Sequence, residues 1–193
     1  MATQDSRIRI KRSTTTGEVP TVAPSTNHTD GTWDALDVYV GELFMNTQDS
    51  TLWARTDNGV RCFYGHARLE LTSAQVKALN TTPQQFNLTV PTGFIPNIIG
   101  DIWLMSTYGS AAYATNTSLR IRTVGGSQNY VSAVNALAFS ADVLIPLTKN
   151  AVTSGKGFET GADLEVYVPV GNPTAGDSDV VIFFDYVLTD TTS

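Results

Sequence analysis

Cysteine is almost absent from this chain, because Cys62 is the single one among 193 residues. An intrachain disulfide is therefore excluded, and so is a metal site built from several thiolates. Charged residues are scarce as well, at 16%, against about 25% in average globular proteins. No apolar run reaches the length of about 18 residues that a membrane-spanning helix needs. The first residues lack the apolar core of a signal peptide, so we expect synthesis in a cytoplasm without export.

Basic residues are few and lie unevenly along the chain. The net charge is −6, and no lysine or arginine follows Lys156. A nucleic-acid partner is not expected, because phosphate binding needs clustered cations. The start is the exception, since Arg7, Arg9, Lys11 and Arg12 crowd together there. This cluster is either a solvated strand face or an anchor for an acidic partner surface.

Threonine, serine, asparagine and glutamine take the place of the missing charges, and their pattern predicts β-structure. The segment "RIRIKRS" alternates apolar and basic residues, and "VGELFMNTQDSTLWARTDNG" alternates on both sides of a polar break at 46–50. Alternation of this kind is typical of strands with one buried and one solvent-exposed face. The break and the Asn58–Gly59 pair carry turn residues, so we predict a hairpin followed by a further strand.

The first 66 residues hold about four short strands with little apolar content. A part of this size is marginal alone unless disulfides, metal or other chains stabilise it. Disulfides are excluded and metal ligands are scarce, so we expect copies of the chain to supply the missing burial. We place a boundary near residues 65–71 and predict two domains, 1–66 and 67–193.

The second part predicts a β-sandwich or jelly roll. Thr72 and Gln75 have the spacing of a capping box, so a short helical turn is expected before Pro83. Strand patterns then follow at regular spacing, among them the alternating "QQFNLTV", "SLRIRTV" and the nearly apolar "DVVIFFDYVLTD". Asp185 interrupts this last strand and could line an axis between chains or meet Arg120 or Arg122 across a sheet.

The basic strand and the hairpin together resemble the N-terminal module of bacteriophage virion appendages. In that family a strand with an Arg/Lys face precedes a "GEL…N" strand, a polar turn and a short strand that ends in Asp-Gly or Asn-Gly. The resemblance implies an intertwined β-prism trimer that docks a fibre or spike on the capsid or tail. With Arg7 and Lys11 of the basic strand, the expected attachment and trimerisation residues are Arg9, Gly41, Glu42, Leu43, Asn46, Leu52, Trp53, Asn58 and Gly59.

The second part is also similar to known phage proteins. The segments "LTSAQVKALNTTPQQFNLTVPTG" and "YGSAAYATNTSLRIRTVGG" resemble a β-domain that recurs at the ends of phage fibres and in capsid-attached proteins. In the turn "MSTYGSAAYATN", Tyr108, Tyr113 and Asn116 could bind a glycan, with Trp103 beside them. The alternative is that Trp103 is a core residue and that the tyrosines pack at strand ends.

Catalytic and metal-binding patterns are weak. His28 and His66 lack a recognisable nucleophile motif, and Asp177, Asp179 and Asp185 do not form a clear acid pair. The acidic loop with Asp30, Asp34 and Asp37 lacks a calcium-loop spacing. We therefore expect no catalytic residue, no cofactor and no metal. The expected function is that of a non-enzymatic, trimeric virion protein; a receptor-binding tail-fibre adhesin and a carbohydrate-binding module stay open.

Overall fold

The chain folds almost entirely as β-structure. The computed structural model describes residues 10–23, 34–56, 59–126, 129–150 and 160–191. Its one helix, α1, spans Ser73–Val76. The strands are β1 (Lys11–Ser13), β2 (Thr21–Val22), β3 (Asp37–Val38), β4 (Leu43–Asn46), β5 (Thr51–Thr56), β6 (Gly59–Leu71), β7 (Gln84–Gln85), β8 (Phe94–Thr107), β9 (Tyr113–Ala114), β10 (Leu119–Thr123), β11 (Asn129–Ala133), β12 (Val143–Leu147), β13 (Leu164–Tyr167), β14 (Thr174–Ala175) and β15 (Asp179–Asp190). Within these described ranges, no helix is long and apolar enough to cross a membrane.

From β6 onward the strands pair as in one long hairpin that has been rolled up. When the short pair β9 and β14 is set aside, the strands from β6 to β15 can be counted from one to eight. The first then pairs with the eighth (β6 with β15), and the second with the seventh (β7 with β13). The third likewise pairs with the sixth (β8 with β12) and the fourth with the fifth (β10 with β11), all antiparallel. This nesting gives the two four-stranded layers of a jelly roll, which confirms the predicted all-β sandwich.

The two layers share one apolar core. Phe184 and Tyr186 of the larger sheet are at most 1% exposed, and they join the same buried cluster as Ile121 and Val166 of the smaller sheet. Phe86, just after β7, meets Phe184 edge to face, with ring centroids 4.9 Å apart. In β10, buried and half-buried residues alternate as the sequence predicts.

Three N-terminal strands, β1, β4 and β5, extend the larger sheet, whereas β2 and β3 pair with each other in a separate two-stranded sheet. The order of the larger sheet is β1-β4-β5-β6-β15-β8-β12, so β5, β4 and β1 continue the sheet beyond β6. Phe44 and Trp53 are 0% and 1% exposed and belong to the shared core, where Trp53 meets Phe94 edge to face at 5.6 Å. One chain therefore already buries the residues that were expected to need several chains. The expected reason for trimerisation is not found, and trimerisation itself stays a prediction.

The predicted domain boundary falls inside a strand. β6 runs continuously from Gly59 to Leu71 and pairs with β5 on one side and β15 on the other. Both predicted parts thus contribute to the same strand. The division into two domains and the intertwined β-prism stay predictions.

Local signals in the second part are mostly confirmed. Thr72 and Gln75 form the predicted capping box in front of α1. The alternating segment "QQFNLTV" forms only the two-residue strand β7, and residues 86–92 leave the sheet. Phe86, Leu88 and Val90 are nevertheless buried, so their alternation reflects packing against the core rather than strand pairing.

Gly65 is required by the close approach of two strands. A Cβ atom placed there would lie 2.4 Å from Cζ of Tyr186, whose ring fills the space on β15 opposite this residue. Real contacts of this length do not occur, so the ring or the strand would have to shift.

We expect Gly65→Ala to lower the free energy of unfolding by about 2–3 kcal/mol, because it overpacks a closed core. Urea unfolding would measure the loss. Tyr186→Leu removes the clashing ring, so adding Gly65→Ala to that variant should cost clearly less than it costs the native chain. An equal cost in both backgrounds would contradict the proposed contact.

Candidate functional site

The polar turn of the predicted attachment hairpin is a hydrogen-bonded centre within one chain. Asn46 is fully buried at the end of β4, and its Nδ2 donates to the carbonyls of Thr15 and Glu18, at 2.9 and 3.0 Å, and to Asp49 Oδ2 at 2.9 Å. Its Oδ1 accepts from the backbone N–H of Asp49, and Asp49 Oδ2 accepts from Gly17 at 2.7 Å. The pair therefore holds the 15–18 segment against the hairpin.

The remaining described residues expected for attachment are spread over β1, β4, β5 and the start of β6, and over the turn before β4. Gly41 has a positive φ of 86° and donates its N–H to Arg55, and Glu42 accepts from the Tyr39 N–H at 2.9 Å. Lys11 donates to the Asp37 carbonyl and lies 3.8 Å from Glu42. Leu43 and Leu52 are half-buried, Trp53 is in the core, and Gly59 begins β6. Arg7, Arg9 and Asn58 lie outside the described residues.

The residues expected to bind a glycan do not form one surface. Tyr113 is 3% exposed, and its hydroxyl donates to the Ser178 carbonyl at 2.6 Å, so its ring offers no face to a sugar. Burial, with the charges of Asp179 and Asp177, raises its pKa to about 12. Tyr108 is half-buried and donates to the Ser110 carbonyl.

Asn116 lies at a different place from the two tyrosines. It lines an open groove of about 420 Å³ together with Thr115, Ser118 and the apolar Val170. Its Nδ2 donates to the Asn172 carbonyl at 3.3 Å. The groove is polar, but its described lining contains no aromatic side chain on which a sugar could stack.

A pocket of about 470 Å³ opens instead on the outer face of the larger sheet. It is lined by Tyr64 and His66 of β6, by Ile99, Gly100, Asp101 and Trp103 of β8, and by Phe183, Phe184 and Asp185 of β15. Tyr64 and Ile99 are 44% and 47% exposed. Aromatic and apolar walls thus surround a few polar groups, which is the usual composition of a ligand pocket.

A bulge in β8 makes the pocket. Phe183 pairs with Trp103, and Asp185 pairs with Ile99, so residues 100–102 stand opposite Phe184 alone. Gly100 has a positive φ of 65°, and a Cβ atom there would meet nothing within 4 Å. Bulges of this kind commonly lie beside functional sites, because they redirect neighbouring side chains.

Asp185 is the polar centre of this pocket. Its Oδ1 accepts from the Tyr64 hydroxyl and from His66 Nδ1, both at 2.9 Å. Because an ionised carboxylate only accepts, Nδ1 of His66 carries the proton in this hydrogen bond. The hydrogen bond to Asp185 raises the pKa of Tyr64, so its hydroxyl stays protonated at neutral pH.

The expectation that Asp185 meets Arg120 or Arg122 is wrong. Asp185 lies on the outer face of the larger sheet, whereas Arg122 Nε donates to Glu165 of the smaller sheet at 2.7 Å. The Tyr64–His66–Asp185 group was not predicted, because Asp185 lies 121 and 119 residues along the chain from Tyr64 and His66. The available signal was a single acid inside an apolar strand.

Neither a metal-binding cluster in the described residues nor a matching known protein identifies the function of the site. Across the described part of the chain, no group of three or more His, Cys, Asp or Glu side chains could hold a metal ion. No protein-family model and no curated protein matches the chain. Among solved structures it is similar to the "Cyanophage Pam1 capsid asymmetric unit", with a TM-score of 0.42 and 17% identity over 65% of this chain and 84% of that chain. A likeness of this size does not establish a shared function.

We expect Asn46→Ala to lower the free energy of unfolding by about 2–4 kcal/mol, because it removes several hydrogen bonds of a buried side chain, including the bond to the buried Asp49. Chemical denaturation would measure this. Asn87→Ala is the matched control, since Asn87 accepts one bond, from the Arg68 N–H, at an exposed position. Equal losses in the two variants would contradict the central role of Asn46.

The raised pKa of Asp49 predicts that the stability of the fold depends on pH. Burial raises the pKa of this carboxyl more than the hydrogen bond from Gly17 lowers it, and the charge of Asp163 adds to the rise. The folded chain therefore binds this proton more tightly than the unfolded chain does. As pH rises from about 3.9, the ordinary pKa of aspartate, through the raised pKa of the folded chain, ionisation of Asp49 lowers the free energy of unfolding.

The difference in melting temperature between the neutral variant Asp49→Asn and the native chain should therefore shift in favour of the variant as pH rises from about 4 to 7. Thermal unfolding at both pH values would measure this shift. Asp101→Asn removes a carboxyl at an exposed position and serves as the control, melted at the same two pH values. A constant difference for Asp49→Asn would overturn the assignment.

Proposed function

We propose that this protein is a non-enzymatic structural component of a bacteriophage particle, present as a homotrimer docked on the capsid or tail through its N-terminal strands. The observation that carries the proposal is the placement of the hairpin residues that resemble virion attachment modules. They lie together at one end of the seven-stranded sheet, next to its outermost strand β1.

The edge strand offers a means of attachment. β1 is the outermost strand of the larger sheet in the described part of the chain, and it pairs with β4. Such an edge presents N–H and C=O groups to a strand of another chain. Arg12, exposed on β1, adds positive charge that suits an acidic partner. Since β4 and β5 join this edge to the jelly roll, the outward domain would be held firmly to the particle.

Oligomerisation is tested with Leu43→Asp in the full chain. Leu43 is half-buried on β4, so a charge there should separate the subunits while the circular dichroism spectrum stays unchanged. Light scattering should give the mass of three chains for the native protein and of one for the variant. Val170→Asp places the same charge on a residue that is 82% exposed and should stay trimeric.

A native monomer would overturn the homotrimer, and a trimeric Leu43→Asp variant would overturn the role of β4 in it. Particle attachment is tested separately, by immunogold labelling of purified particles. Labelled capsids or tails would support the proposal, and unlabelled particles would contradict it.

The second candidate function is a host-surface adhesin or carbohydrate-binding module. The observation that favours it is the aromatic pocket with Asp185 on the outer face of the larger sheet.

A further inference from the structure

We propose that the outer-face pocket binds a neutral saccharide, with Trp103, Tyr64 and Phe183 contacting the apolar face of a sugar ring and Asp185 accepting its hydroxyl groups. The inference rests on the second candidate function, to which it gives a site and a ligand class, and it is independent of trimerisation and particle attachment.

The walls of the pocket suit the C–H face of a pyranose. Phe183 and Trp103 are directly paired across β15 and β8, and both are only half-buried. His66 lies beside Phe183, with ring centroids 6.2 Å apart. Partly exposed aromatic rings provide flat apolar contact with little loss of side-chain freedom, because few of their bonds rotate.

The polar groups suit sugar hydroxyls. Tyr64 and His66 both donate to Oδ1 of Asp185, and in the described residues no hydrogen bond reaches Oδ2. The carboxylate is therefore held in place with one oxygen open to a ligand. The Asp185 side chain is 47% exposed and that of His66 is 37% exposed, so both reach solvent at the pocket. A positioned charged acceptor binds a hydroxyl more strongly than a neutral acceptor does.

The charges of the pocket select against acidic sugars. Asp101 and Asp185 are its charged lining residues, apart from the imidazole of His66. Two nearby cations already have partners, since Lys149 donates to the carbonyl of the lining residue Gly100 at 2.5 Å and Arg68 pairs with Glu70. A carboxylate on the ligand would meet the like charges of Asp101 and Asp185. We therefore expect a neutral ring and exclude its uronic acid counterpart.

Binding is measured on the full chain by saturation-transfer difference NMR and by tryptophan fluorescence. The probes are methyl glucoside, methyl galactoside and N-acetylglucosamine, with glucuronic acid as the charged counterpart of the first. A monosaccharide of this size is expected to bind with a Kd of about 1 mM. At least one neutral probe should bind, and glucuronic acid should bind about tenfold more weakly or not at all.

Two variants test the site. Asp185→Asn keeps the side-chain size but loses the charged acceptor, and Tyr64→Ala removes an exposed wall; each should weaken binding about tenfold. Phe63→Ala is the matched control, because Phe63 is an exposed aromatic neighbour, 54% exposed, that does not line the pocket. This control should bind as the native chain does.

Three outcomes would overturn the saccharide site. The first is that no neutral probe binds at up to about fifty times the expected Kd. The second is that both pocket variants bind as tightly as the Phe63→Ala control. The third is that either pocket variant changes the oligomeric mass in light scattering, which would identify this face as an interface between copies of the chain. None of these results bears on particle attachment, which immunogold labelling tests by itself.

Discussion

The pairing of β15 with strands on both of its sides is the constraint on which the rest of the structure depends. β15 joins β6, the first strand of the jelly roll, to β8, and its alternate side chains fill the core between the layers. The same register sets the outer face, where Asp185 lies opposite His66 and Ile99. A slip by one residue would turn Asp185 into the core and Tyr186 out of it, so the core and the pocket are specified together.

The larger sheet runs without interruption from the strand proposed for attachment, β1, to the strands that line the proposed binding pocket. β4 pairs with β5, and β5 pairs with β6, which is itself part of the jelly roll. Asn46 and Asp49 then hold the 15–18 segment against this extension. A contact made at the β1 edge would therefore fix the orientation of the whole sandwich. In a trimer, three weakly binding pockets oriented in this way would act together, and avidity would exceed the affinity of one site.

Local sequence patterns are decisive where neighbours along the chain supply the interaction. The capping box of Thr72 and Gln75, the hairpin turn after Asn46 and the alternation in β10 are all formed by residues close in sequence, and the structure confirms them. The alternation over 84–90 gave the right buried residues and the wrong element, since periodicity reports which side chains face the core, not which backbone groups pair.

The sequence alone therefore determined the all-β class, the sandwich and most strand faces, because side-chain alternation and turn chemistry are local properties. Only the tertiary structure decided that the leading strands extend the jelly-roll sheet and bury Phe44 and Trp53 within one chain, since composition does not reveal which surface covers a strand. The tertiary structure alone also placed Tyr64 and His66 next to Asp185. These residues are far apart along the chain and meet because the first and last strands of the jelly roll pair with each other. Contacts of that range depend on strand register, which no short stretch of sequence encodes.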